Sequence, residues 1–175
     1  MWIFGHLGIG YEIVRQQGFQ RSWSRRTILV GTLLPDLIDK PLYLAGMLIT
    51  GQKGSAIGLI SGTRTFGHTA LFLIILVSIS SFSKTRLWGA LSLGVATHLF
   101  LDLFSKISSH RTLEYVTHSL LWPAFGSSFP GQDLTPIHKL SDLTPQPIVA
   151  ICEILGGWLL WRELTKRKSQ DTLKK

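Results

Sequence analysis

The sequence predicts an all-α fold, a single-domain helical bundle with several apolar, membrane-embedded helices. Three observations carry that prediction. Charged residues make up 16% of the 175-residue chain, where about 25% is usual for soluble domains, and the mean hydropathy is positive. Apolar runs of helical length recur along the chain, separated by short polar turns. The basic residues fall in clusters that flank those runs: Arg15, Arg21, Arg25 and Arg26; Lys84 and Arg86; then Arg162, Lys166, Arg167, Lys168, Lys174 and Lys175. Basic loops on one side of a bilayer have this pattern. It accounts for the formal charge of +8 without nucleic acid, and no zinc finger or interleaving of aromatic and basic residues argues for that partner. The one cysteine, Cys152, excludes a disulfide framework and fits a small buried hydrophobe. The chain has the length of one domain, read as a helical domain over 1–161 and a basic, frayed tail over 162–175.

Taken in order, residues 2–14 form a short apolar helix carrying His6 and Glu12. No basic region precedes it, so no removable signal peptide is expected. The run Thr27 to Leu34 ends at Pro35-Asp36-Leu37-Ile38-Asp39-Lys40-Pro41, where two prolines predict an interrupted helix. Residues 65–83 contain no Asp, Glu, Lys or Arg and approach the roughly 20 residues that cross a hydrocarbon core. Lys84-Thr85-Arg86 then allows only a tight turn into the next apolar run, Leu87 to Leu101. Residues 132–146 form a polar connector. The last helix, Pro147 to Trp161, is broken by Glu153 and Gly156-Gly157, and the scattered glycines suit close helix packing.

Within this apolar frame, His98 and Asp102 stand four residues apart, on one face of a helix. Ionisable groups inside an apolar stretch require partners. A local hydrogen bond between the two satisfies them, and so does a metal ion. The hairpin arithmetic adds a third group. His68 lies as many residues before Thr85 as Asp102 lies after it, so antiparallel helices bring them level, about 25 Å from the basic turn at 1.5 Å per residue. Each residue also has a plainer role. Asp36 suits a turn after proline, Asp39 a salt bridge with Lys40, His68 a solvent-facing helix start, and Arg64 a helix end where it snorkels. His110, Glu114 and His118 repeat the spacing of four in a polar stretch, either as further ligands or as a solvated face.

The ordered set of His6, Leu34-Pro35-Asp36-Leu37-Ile38-Asp39, Arg64 with Gly67-His68-Thr69, His98 with Asp102, and Leu121-Trp122-Pro123 resembles the membrane-bound metal-dependent hydrolases. More remotely it is similar to the all-helical zinc-dependent phospholipases C and single-strand-specific nucleases. The chain departs from the better-known branch in having Thr63 where a histidine stands there, and in the wider spacing of its aspartates. The resemblance implies a hydrolase of phosphoesters acting through a metal-activated water. One or two divalent ions are expected, zinc first, with manganese or iron as alternatives, on His6, Asp36 or Asp39, His68, His98 and Asp102. The aspartate left over from the metal, with Asp36 as the catalytic candidate, is expected to act as general base, and Arg64 to hold a phosphate oxygen.

The expected partners are membrane lipid and a small amphipathic or phosphoester substrate. The expected location is the inner membrane, multi-pass or half-embedded, with the basic loops and tail cytoplasmic. The competing reading is a membrane protein that binds or transports a cation without catalysis, since intramembrane His and Asp also mark ion pathways.

Overall fold

The computed structural model describes residues 3–16, 25–58, 60, 62–107, 113–126, 129 and 147–172. Within them are six α-helices and no strand: α1 (Ile3–Gln16), α2 (Arg25–Thr50), α3 (Ala70–Phe82), α4 (Arg86–Ile107), α5 (Leu113–Leu120) and α6 (Pro147–Thr172). The helix α4 is central, packed against α1, α2 and α3, while α1 also lies against α6. Phe72, Leu76, Val95 and Leu99 form the core between α3 and α4, and Val14, Ile28 and Ala90 a smaller one between α1, α2 and α4.

Three elements differ from the sequence expectation. Residues 65–83 do not make one span. A 3-10 turn occupies Phe66–His68, and α3 begins only at Ala70 because the Thr69 hydroxyl accepts from Phe72 N at 3.1 Å and caps it. The helix that remains has 13 residues, about 20 Å of rise, too short to cross alone. Only Arg86–Ser105 is long and apolar enough to cross a membrane among the described residues. The second difference is at Pro35 and Pro41, which lie inside a continuous 26-residue α2. Each proline removes one N–H and displaces the carbonyls a turn earlier, but packing against α4, α1 and the segment before α3 holds the helix. Lastly, α6 runs unbroken to Thr172, through both the glycine pair and the start of the supposed tail.

Glycine contacts explain how the helices approach so closely. A Cβ on Gly8 would lie 2.0 Å from the Gly156 carbonyl oxygen, and one on Gly94 would lie 2.5 Å from that of Ile28. Gly156, but not its neighbour Gly157, thus marks a helix crossing. At the basic end of α1, Glu12 bridges Arg15, at 2.8 Å, and Arg162 of α6, at 3.2 Å. The hydrogen bond from Arg15 holds the Glu12 carboxyl down at about 2 against the opposing effect of partial burial, so the bridge stays ionised.

Large apolar side chains cover much of the outer surface, including Leu48, Ile49, Ile74, Phe82, Phe100, Ile154 and Trp161. These residues lie on four helices, and large apolar side chains left in the open on so many elements suit contact with lipid or protein. The packing predicts that Gly94→Ala lowers stability by about 2 kcal/mol through overpacking. Gly157→Ala, with nothing within 4 Å of its Cβ position, is expected to leave stability unchanged or raise it by up to about 1 kcal/mol. Thermal unfolding of both variants in one detergent checks the contrast.

Candidate metal centre

Four segments deliver one largely buried cluster: His6 from α1, Asp36 and Asp39 from α2, Arg64 and His68 from the segment before α3, and His98 with Asp102 from α4. The hairpin does bring His68 level with Asp102, with His68 Nε2 3.8 Å from Asp102 Oδ2. His98 Nε2 lies at the same distance from that oxygen and 3.2 Å from His68 Nε2. His6 Nε2 is 3.4 Å from Asp102 Oδ1, and its ring stacks on that of His98 with centroids 3.9 Å apart. Asp36 Oδ1 lies 3.5 Å from His68 Nε2. Ligand atoms of His6, His98 and Asp102 fall within 4.8 Å of one another, and so do those of Asp36, His68 and His98.

The two aspartates of α2 have different surroundings. Asp39 is fully buried and already saturated. Its Oδ2 accepts from Thr65 N and from His68 Nδ1, both at 2.7 Å, and its Oδ1 from Gly67 N at 2.9 Å. Asp39 stands behind His68 and orients it, as outer carboxylates orient metal-binding histidines. Asp36 is partly exposed instead, its Oδ2 held by Lys40 Nζ at 2.7 Å. The salt bridge of Lys40 is therefore with Asp36, four residues back on one helix face, and not with its neighbour Asp39.

Tautomers follow from these partners. A backbone carbonyl can only accept, so His98 Nδ1, 2.7 Å from Thr32 O, must carry hydrogen. His68 Nδ1 donates to Asp39. In both neutral rings the lone pair is then on Nε2, and the two Nε2 atoms point at each other across 3.2 Å. Facing lone pairs repel unless a cation sits between them, either a proton on one ring or a metal ion. By contrast, His6 Nδ1 is buried with no hydrogen-bond partner among the described residues.

Arg64 Nη2 lies between the oxygens of Asp102, 3.1 and 3.0 Å away. With His68 and Asp102 it forms the polar wall of a cavity of about 30 Å³, whose other wall is Leu99, Leu103 and Leu120. That is room for one water. Ser119 of α5 also lines it.

Of the other expected candidates, His118 packs its ring against Phe125, with centroids 5.4 Å apart. His110 lies outside the described residues, and only the backbone of Glu114 in α5 is described. The sequence reading missed the backbone partners. Thr32 precedes Pro35 in the turn where a proline displaces carbonyls, and Gly67 has no room for a side chain, since a Cβ would lie 2.9 Å from Pro35 O. A Pro one turn before Asp39 and a Gly beside His68 were the signals available.

Residues 1–131 match the model of a family described as YdjM inner membrane protein. No curated protein and no solved structure matches the chain.

The contrast between the two aspartates is testable. Asp39→Ala leaves two backbone N–H groups and a buried imidazole without their acceptor and should cost about 3 kcal/mol or more. Asp36→Asn should change stability by less than about 1 kcal/mol. Denaturation in matched detergent measures both.

Proposed function

The chain belongs to the YdjM inner membrane protein family, and on that footing we propose a membrane-bound hydrolase that depends on a divalent metal and acts on phosphoesters. The observation that carries the proposal is the pair of opposed Nε2 lone pairs of His68 and His98, 3.2 Å apart. A proton would satisfy those two atoms alone. A metal also accounts for the carboxylate oxygen of Asp102 beside both. Tetrahedral zinc with bonds near 2.05 Å separates its ligands by about 3.4 Å. The triangle of His68, His98 and Asp102, with edges of 3.2, 3.8 and 3.8 Å, fits that size. Three protein ligands and an open position are the pattern of a catalytic site. Because His98 Nε2 belongs to both possible ligand groups, one ion per chain is expected, with zinc first and manganese or iron as alternatives.

Bound there, a divalent ion supplies Lewis acidity that acidifies water and polarises an ester oxygen. The chain's own residues do the rest. Asp39 and Thr32 O hold the two imidazoles in the tautomers that present Nε2. His6 meets the outer oxygen of Asp102. Asp36, whose side chain is 14% exposed against 7% for Asp102 and 0% for Asp39, is placed to take a proton at Oδ1. Arg64, on the cavity wall, offers its remaining guanidinium N–H groups to an ester's phosphate oxygens.

Charge supports an anionic substrate. Asp36, Asp39 and Asp102 face two side-chain cations, Lys40 and Arg64, so one negative charge remains with neutral histidines. A divalent ion converts that to one positive charge, which complements a phosphodiester. The membrane setting of the family favours an ester with a hydrocarbon flank. Membrane lipid is the natural source of one, and the basic turn at Lys84 to Arg86 is assigned to the cytoplasmic side.

Metal analysis of purified protein should find one ion per chain, lost in His98→Ala and Asp102→Ala. Arg64→Gln should retain the ion while hydrolysis in a phosphodiester screen falls about 100-fold. A wild-type chain without metal would overturn the reading, and metal without hydrolysis would leave a non-catalytic cation binder. For orientation, Thr85→Cys should resist an impermeant thiol reagent applied from outside intact cells.

A further inference from the structure

At the end of the α3–α4 hairpin remote from the metal centre, an open groove runs along the bundle surface. Ile74, Ile75, Ile79 and Phe82 of α3 line it together with Trp88 of α4. These α3 positions share one helical face, and from Ile74 to Phe82 the groove follows about 12 Å of helix axis. Phe82 is 91% exposed, so the bundle does not close over it. Such a groove by itself identifies no occupant.

Charge at its mouth identifies one. Ser83 lines the groove where α3 ends, and the next residues are Lys84, Thr85 and Arg86, all exposed. Between Asp39 and Asp102 the sequence contains no acidic residue, and among the described residues neither Lys84 nor Arg86 forms an ion pair. Arg86 opens the apolar segment Arg86–Ser105 that is long enough to cross a membrane, which places the turn at headgroup depth. The groove descends from that level towards the hydrocarbon. Two unpaired cations above an aliphatic and aromatic channel complement one molecule at both ends.

We propose that this groove is a binding site for an anionic phospholipid, with an acyl chain between α3 and α4 and the headgroup phosphate on Lys84 and Arg86. The site is separate from the metal centre and independent of hydrolysis. Juxtamembrane basic residues each contribute about 1 kcal/mol towards anionic lipid. The groove adds a chain contact that a surface charge alone does not make.

Trp88 provides the readout. In nanodiscs, the Trp88 contribution to fluorescence is the difference between the full chain and its Trp88→Phe variant. Phosphatidylglycerol with brominated acyl chains should quench that contribution half-maximally at a mole fraction about ten-fold lower than brominated phosphatidylcholine. Lys84→Gln with Arg86→Gln should bring the two curves together, while Lys84→Arg retains the preference. Unmodified phosphatidylglycerol should relieve the quenching, whereas soluble glycerol phosphate should not. Equal quenching by the two lipids, a preference that survives the double variant, or competition by glycerol phosphate would overturn the site. Both substituted residues are exposed, and thermal unfolding of the double variant against wild type verifies that its fold is intact.

Discussion

Three hydrogen bonds onto the buried carboxylate of Asp39 hold the non-helical segment before α3 against α2. An apolar bundle cannot leave backbone N–H groups unpaired where helical bonding stops. Here Asp39 takes up the N–H groups of Thr65 and Gly67 and, with the same oxygen that meets Thr65, the Nδ1 of His68. The interaction that makes irregular backbone tolerable in the interior therefore also aims an imidazole. His98 is aimed by the parallel device of a carbonyl in the turn before Pro35. Both depend on α2, which supplies the Asp39 carboxylate and the Thr32 carbonyl behind the imidazoles and the Asp36 side chain at the rim of the cluster.

Much of this was legible in the chain. The uncharged runs and flanking basic clusters identified a helical membrane protein, and equal spacing about Thr85 correctly paired His68 with Asp102. What spacing could not distinguish was Asp36 from Asp39. Both precede or adjoin Lys40 and both follow Pro35, and their difference arises from backbone atoms some thirty residues away, which carry no side-chain signature. The same holds for Thr32, which acts through its carbonyl. The 65–83 run misled because apolar composition measures solubility in lipid, not helicity. Gly62 to Thr69 is as uncharged as a helix apart from Arg64, yet its backbone is committed to Asp39. The prolines misled in the opposite direction, since packing of α2 against its neighbours outweighs one missing bond each.

The polar cluster and the lipid-facing surface are coupled through α4. One face of this helix carries His98 and Asp102 inward, Leu99 and Leu103 border the cavity, and Phe100 and Phe104 are exposed. A single helix of low charge thus separates ligands from lipid over one or two turns. The cavity is consequently aliphatic where Leu99 and Leu103 of α4 border it, and polar where Arg64 and His68 of the segment before α3 meet Asp102.

The contact of Gly8 with Gly156 has a consequence for assembly in time. The helix α6 is translated after every other described helix, yet it packs on α1, the first of them. That contact therefore joins the two ends of the described chain. His6 does not depend on it, since its ring stacks on His98 of α4 and α1 also packs against α2 and α4.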